Sequence, residues 1–265
     1  MSAVAKAYEQ IADDLREAIR AGELSPGDKL PTEAELSEKS RKTLPTVRQA
    51  LSLLQAEGLI EKRHGRGSFV RKPRKRVTRS NERHQWEKSR ALIPDEERAR
   101  TGATEHDTGL EMDDLLFHAY YREVEASGDL AAVFGLPEGA PLIQRNYRTR
   151  YRQEDAPFNL VTSYLVRDHV AGNPELLDDA NEPWPGGTMH QLRTVGIEID
   201  RIEEHVTARP PTAEEAEELR LLPGTSVLLV RKVSRDVADR AVEVSDLVLP
   251  GDRTEIIFTT QLERW

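Results

Sequence analysis

Three clusters of side chains carry the chemistry open to this chain. The first is His64-Gly65-Arg66-Gly67, an imidazole and a guanidinium set among glycines. Such a tip can approach a nucleic-acid backbone closely and put Arg66 into a minor groove. The second is Thr46, Arg48 and Gln49, which fall outside the apolar stripe Val47, Ala50, Leu51, Leu54 and so face outward near the start of a helix, where a major groove is read. The third is Arg148 and Arg150, two apart and therefore on one face of a strand, where paired guanidiniums suit a carboxylate or phosphate. Ser163, Tyr164, Glu243 and Ser245 fall on the strands expected beside them and can hold hydroxyls. A second reading of the same arginines stands beside this one. Arg145, Arg152, Glu154 and Asp155 are near, and an Arg-rich strand can simply pair with acidic surface.

The residues of metal and covalent chemistry are not arranged for it. None of His64, His84, His106, His118, His169, His190 and His205 lies within metal-ligand spacing of another, so no metal site and no cofactor is expected. Gly-x-Ser-x-Gly, His-Glu-x-x-His and a phosphate-cradling glycine loop are all missing. No residue is assigned a catalytic role, and the chain is not expected to be an enzyme.

The elements that position the first two clusters are legible in residues 1–72. Tyr8, Ile11, Ala12, Leu15, Ala18 and Ile19 recur at helical spacing and predict a helix over 6–21, stopped by Gly22. Ser25-Pro26-Gly27-Asp28 is a turn. Thr32 and Glu35 have capping-box spacing and open a short helix with Leu36 inward. Thr43 caps a third helix, Pro45 fits its first turn, and Gly58 ends it. Strands Leu59–Arg63 and Ser68–Arg71 then flank the His64–Gly67 turn. Three helices and a basic-tipped hairpin make a winged helix-turn-helix.

Charge supports two parts with different partners. Residues 1–80 hold 17 Lys and Arg against 11 Asp and Glu, a balance of +6, whereas residues 81–265 hold 21 against 36, a balance of −15. Lys62 to Arg79 carries nine basic residues and no acid, a phosphate-facing stripe. There is no cysteine, which excludes disulfides and Cys-ligated metals and suits a reducing cytoplasm. Apolar runs such as Val227–Val230 are too short to span a bilayer, and Met1-Ser2-Ala3-Val4-Ala5-Lys6 lacks the apolar region of a secretory signal.

Residues 8–70 carry a nearly continuous resemblance. The stretches from Tyr8 to Leu15, Leu24 to Glu33, Thr46 to Leu51, Glu57 to Ile60 and His64 to Val70 resemble the DNA-binding domain of the GntR family of bacterial transcription regulators. The resemblance implies that Arg48 is the arginine of the recognition helix, that His64, Gly65, Arg66 and Gly67 are the wing tip, and that Thr32 and Thr43 belong to the same surface. Two departures stand out: Ala34 stands where the family commonly has Arg, and the stretch Lys42-Thr43-Leu44-Pro45-Thr46 lacks the Arg common just before the family's Thr-Thr pair, with Arg41 and Lys42 the candidate substitutes. An operator departing from the family consensus is expected.

Residues 73–106 are polar, with Pro73, Pro94 and Gly102, and read as a linker with a helix near 81–92 around Trp86. Leu115–Glu125 reads as a strand, after which the chain repeats itself. Leu130 to Ile143 and Ala213 to Leu228 each spell a short helix, a Leu-Pro-containing stop and a strand, then a turn and a second strand over Phe158–Val166 and Val242–Leu249. Two helix-hairpin units give an antiparallel sheet flanked by helices, so the fold class is α+β. With Leu136-Pro137-Glu138-Gly139, Ser163-Tyr164-Leu165, Leu222-Pro223-Gly224 and Gly251-Asp252-Arg253 in order, residues 107–265 resemble the UTRA effector domain of the HutC-like GntR subgroup, whose fold is similar to chorismate lyase. The resemblance implies a repressor, a homodimer on an inverted-repeat operator in double-stranded DNA, and a small-molecule effector, which the Arg148 and Arg150 pair would make anionic. It places the protein in a bacterial cytoplasm, on the nucleoid when bound, with no membrane partner. Thr254, where the family often has Tyr, implies an unusual effector. A C-terminal domain that only oligomerises, as in plasmid-transfer control, and a lyase-like enzyme are the alternatives.

Overall fold

A computed structural model describes residues 6–263. The opening Met1–Ala5 of the stretch read as unlike a secretory signal lies outside the described residues. The chain forms two compact units, one built on the residues up to Arg74 with Leu221–Thr225, the other on Lys75–Arg220 with the chain from Ser226.

The first unit is helices α1 (Ala7–Arg20), α2 (Glu33–Ser40) and α3 (Leu44–Ala56) followed by the antiparallel hairpin β1 (Ile60–Arg63) and β2 (Gly67–Val70). Ile11, Ala12, Leu15, Leu36, Val47, Ala50, Leu51, Leu54 and Ile60 interlock as its core, as the helical periodicity requires. Thr32 closes a capping box with Glu35, and its hydroxyl is occupied there. Thr43 occupies the N-cap of α3, yet its hydroxyl meets Thr46 Oγ1 at 3.0 Å instead of a backbone amide.

The second unit begins with strand β3 (Val77–Ser80) and helices α4 (Arg83–Arg90), α5 (Asp95–Arg98) and α6 (Ala103–Thr108). It continues through β4 (Leu115–Glu125), α7 (Gly128–Phe134), β5 (Pro141–Tyr151), β6 (Leu160–Val166), α8 (Arg167–Val170), α9 (Gly187–Thr194), β7 (Ile199–Arg209), α10 (Ala213–Glu218), β8 (Val227–Asp236), β9 (Ala241–Pro250) and β10 (Thr254–Ile257). The internal echo is visible in the topology. A six-stranded antiparallel sheet runs β4-β5-β6-β9-β8-β7, so β4-α7-β5-β6 and β7-α10-β8-β9 occupy mirrored places about the central β6–β9 pair. One face buries Leu142, Val166 and Val244 against α7, and the other buries Ile143, Leu165 and Val242 against Leu176 and Leu192.

The linker expectation over 73–106 needs correction. From Lys75 onward this stretch is folded: β3 pairs in parallel with β10, and α4 and α6 are joined by the Arg83–Asp107 ion pair and by Trp86 stacked 4.2 Å from His106. Its charges misled because Arg79, Arg83 and Arg98 look like solvated linker residues in sequence but are each less than a tenth exposed. The partner strand of β3 lies far along the chain, beyond the reach of any local pattern.

Candidate DNA-reading surface and ligand cavity

In the first unit the outward face of α3 carries Arg48 and Gln49 exposed, with Thr46 half-buried. Arg41 sits at the C-cap of α2 in the left-handed region, exposed, with Lys42 exposed beside it. Glu33 ties the pieces together. Its Oε2 accepts from Arg48 Nε at 2.7 Å, and its Oε1 lies 3.7 Å from Lys62 Nζ on the wing strand. Arg48 holds this carboxyl below the usual range. The wing tip His64, Gly65, Arg66 and Gly67 is wholly exposed. Gly67, at φ 110°, takes a conformation that an L side chain adopts only with strain. Below the tip, Arg63 stacks 4.6 Å from the centre of the Phe69 ring, which stiffens the hairpin.

The second unit holds a cavity of about 530 Å³ on the α9 face of the sheet, within the size range of small-molecule sites. On this face a row of in-register residues crosses every strand, Tyr121 on β4, Arg145 on β5, Ser163 on β6, Ser245 on β9, Lys232 on β8 and Glu204 on β7, of which Ser163, Ser245 and Lys232 line the cavity. Arg145 is fully buried and anchors α9, donating to Gln191 Oε1 at 2.7 Å, Ser163 Oγ at 2.8 Å and Thr188 Oγ1 at 3.2 Å. Glu243 accepts from Ser163 and Ser245 hydroxyls at 3.0 and 3.1 Å and pairs with Lys232 Nζ at 2.9 Å. Burial alone would push Glu243 up; Lys232, then Arg145, outweigh it and hold the carboxyl down to about 2.

The facing wall comes from β3, α4, α5 and α6. Arg79 meets Glu204 at 3.3 Å and Asp107 at 3.8 Å, and Arg83 pairs with Glu87 at 3.2 Å and with Asp107. His84 lies between Glu204 (3.3 Å) and Glu87 (3.5 Å), which raise its pKa despite burial. Burial opposes the ionisation of Glu204 too, yet His84 and then Arg79 hold it down to about 2. Trp184 and the glycines at the start of α9 complete the enclosure. A Cβ on Gly186 would run into Arg98 Cδ and His190 Cβ, so this close approach requires glycine.

Three of the six residues predicted to hold a ligand converge here: Ser163, Glu243 and Ser245. Arg148, Arg150 and Tyr164 do not. Arg148 pairs with Glu218 at 2.5 Å and donates to the carbonyls of Tyr147 and Val161, Arg150 donates to the carbonyl of Glu154, and Tyr164 packs in the cluster beneath α7. The side-chain period of two was right but its phase was one residue off, so Arg145, Tyr147 and Thr149 occupy the ligand side. The cavity's cations also face carboxylates, which removes the pair of free guanidiniums that motivated an anionic ligand.

A family model of bacterial regulatory proteins, gntR family, matches residues 7–70, and the UTRA domain matches residues 119–255. Over 96% of its length the chain is 31% identical to an uncharacterized HTH-type transcriptional regulator of Streptomyces coelicolor, covering 92% of that protein. The chain belongs to the GntR family. Its two domains have the HutC-like arrangement, a winged helix-turn-helix followed by UTRA. The HTH-type transcriptional repressor NagR of Bacillus subtilis is 30% identical over 93% of this chain and 91% of its own length. Among solved structures, a GntR-family transcriptional regulator aligns over 97% of this chain and 98% of its own, at 26% identity and TM-score 0.62. PhnF from Mycobacterium smegmatis shares the fold over 96% of this chain and its whole length, at 23% identity and TM-score 0.53. These relatives are named as transcription regulators, not enzymes, and among the described residues of this GntR regulator no helix is long and apolar enough to cross a membrane.

Much of the cavity wall was missed. Arg79, Arg83 and His84 precede the UTRA match and stood in the supposed linker. Their only sequence trace is the pairing of basic residues at 79–90 with acids at 87 and 107.

Proposed function

We propose that this GntR-family regulator is a repressor that binds an inverted-repeat operator as a homodimer and releases it when a small molecule enters the cavity of its UTRA domain. Thr46, Arg48 and Gln49 read the major groove, Arg41, Lys42 and Thr43 flank that contact, and His64, Gly65, Arg66 and Gly67 enter the minor groove. Lys62, Arg63 and the basic run after Val70 add phosphate contacts that weaken with salt. Thr32 acts by holding the N-terminus of α2, so its part in DNA binding is indirect.

The observation that carries the effector half is the walled cavity with Lys232, Glu243, Ser163 and Ser245 at its floor. Its charges are matched in pairs, which suits a polar effector offering both hydrogen-bond donors and acceptors over a simple anion. Binding-site selection from random duplex DNA at fixed salt, with and without a cell metabolite extract, tests both halves. The expected result is an enriched inverted repeat that departs from the family consensus and is released by the extract. Enrichment without release would favour a C-terminal domain that only oligomerises, and no enrichment would overturn the DNA-reading surface.

A further inference from the structure

We propose that Glu154 and Arg253 are positioning residues: together they clamp the backbone of Lys75, where the chain enters the cavity-bearing unit, and thereby set the half-site spacing that the regulator accepts. The clamp grips both polar groups of one peptide residue. Glu154 Oε1 accepts the Lys75 amide at 2.7 Å, and Arg253 Nε donates to the Lys75 carbonyl at 2.9 Å. The two side chains are themselves paired, Arg253 Nη2 to Glu154 Oε2 at 2.7 Å. Arg253 is 2% exposed and lies 4.7 Å above the Phe158 ring, and the Val77 amide donates to the Arg253 carbonyl at 2.9 Å. Lys75 is thus fixed by side chains from the β5–β6 turn and the β9–β10 turn.

The clamp stands immediately before the cavity in the chain. Val77, two residues on, packs with Leu115 and Phe158, and Val77, Arg79 and Phe158 all line the cavity. The first residues after the DNA-binding unit are therefore cavity wall. A DNA-binding unit attached at a rigid point can reach a fixed separation of half-sites, whereas a loose attachment spreads its reach over many separations. Charged hydrogen bonds to the amide and the carbonyl of one residue provide such a point.

This inference rests on the dimeric, inverted-repeat reading above, and the test separates the two. Operator affinity of the full-length chain is measured by fluorescence anisotropy on the selected operator and on a copy with the half-sites moved apart by about 5 bp, half a helical turn. Wild type is expected to discriminate strongly. Glu154→Ala and Arg253→Lys should cut the ratio of the two affinities by about tenfold, the fold-change of one charged hydrogen bond, while binding to a single half-site stays unchanged. A general loss of stability would weaken both operators alike and leave the ratio intact. If Arg253→Lys does not fold, Glu154→Ala, at a half-buried turn position, still decides. Hydrogen exchange at the Lys75 amide gives a reading that needs no dimer: slow in wild type and fast in Glu154→Ala. An unchanged spacing ratio in folded variants, or a fast Lys75 amide in wild type, overturns the clamp. A wild type indifferent to spacing overturns the clamp's role and the inverted-repeat reading together.

Discussion

The DNA-reading unit and the ligand cavity present their functional residues in opposite ways. On α3 the polar residues face solvent while Val47, Ala50, Leu51 and Leu54 face a single core, so one apolar stripe identifies both faces. The wing tip is likewise exposed from His64 to Gly67. The cavity residues sit on a sheet covered on both sides, where Leu142 and Ile143, adjacent in sequence, are both buried against different helices. Alternation then loses its meaning as a marker of solvent, and polar residues on neighbouring positions compete for the functional assignment. The lesson is that a one-sided element discloses its surface, whereas a two-sided one discloses only its period.

That contrast predicts where mutations should hurt. The largest effect is expected at the buried row: Glu243→Ala leaves Lys232 and Arg145 without their carboxylate and should destabilise the second unit by about 3–5 kcal/mol in urea unfolding. Next, Arg48→Ala should cost about 1–3 kcal/mol in specific operator binding with the fold intact, read by anisotropy. Arg148→Ala and Arg150→Ala sharpen the comparison from the other side. Both should leave extract-driven release unchanged, since their guanidiniums lie away from the cavity.

The pH dependence separates the units further. Glu243 and Glu204 are held at about 2, below the ordinary 4.5. Their contribution is complete above pH 4.5 and is lost as pH falls from there toward 2. His84 is raised above 6.5, so its contribution is complete below pH 6.5 and lost as pH rises through its folded value. Urea midpoints of the full chain should therefore fall on the acid side, and wild type should lose a small increment on the alkaline side that His84→Gln lacks. A midpoint flat from pH 5 to 2 would contradict the ion network. In the first unit, Thr32→Ala should cost about 1 kcal/mol of stability through the lost cap. A larger loss in operator affinity than in stability would make Thr32 a direct contact.

Most of the architecture was legible. Helices α1 to α3, the hairpin and the doubled helix-hairpin unit follow from periodicity, caps and turn residues, and β4 spans the residues expected of it. Two things were not. The phase of β5 is set by helices that cover both faces, so Arg145, fully buried, was passed over for Arg148 and Arg150. The wall formed by β3, α4 and α6 depends on ion pairs between Arg79, Arg83, Asp107 and Glu204 and on pairing with β10, contacts that leave no periodic trace. A polar segment whose charges are buried in pairs is indistinguishable by composition from a solvated linker.

The central claim is that occupancy of the cavity governs operator release. Asn159→Trp tests it most directly, because Asn159 is half-buried at the cavity wall and an indole there takes up part of the space. Anisotropy with the selected operator should show wild type releasing DNA on addition of the active extract fraction, and the variant binding the operator equally well yet failing to release it. A variant released as readily as wild type would place the effector elsewhere and contradict the account.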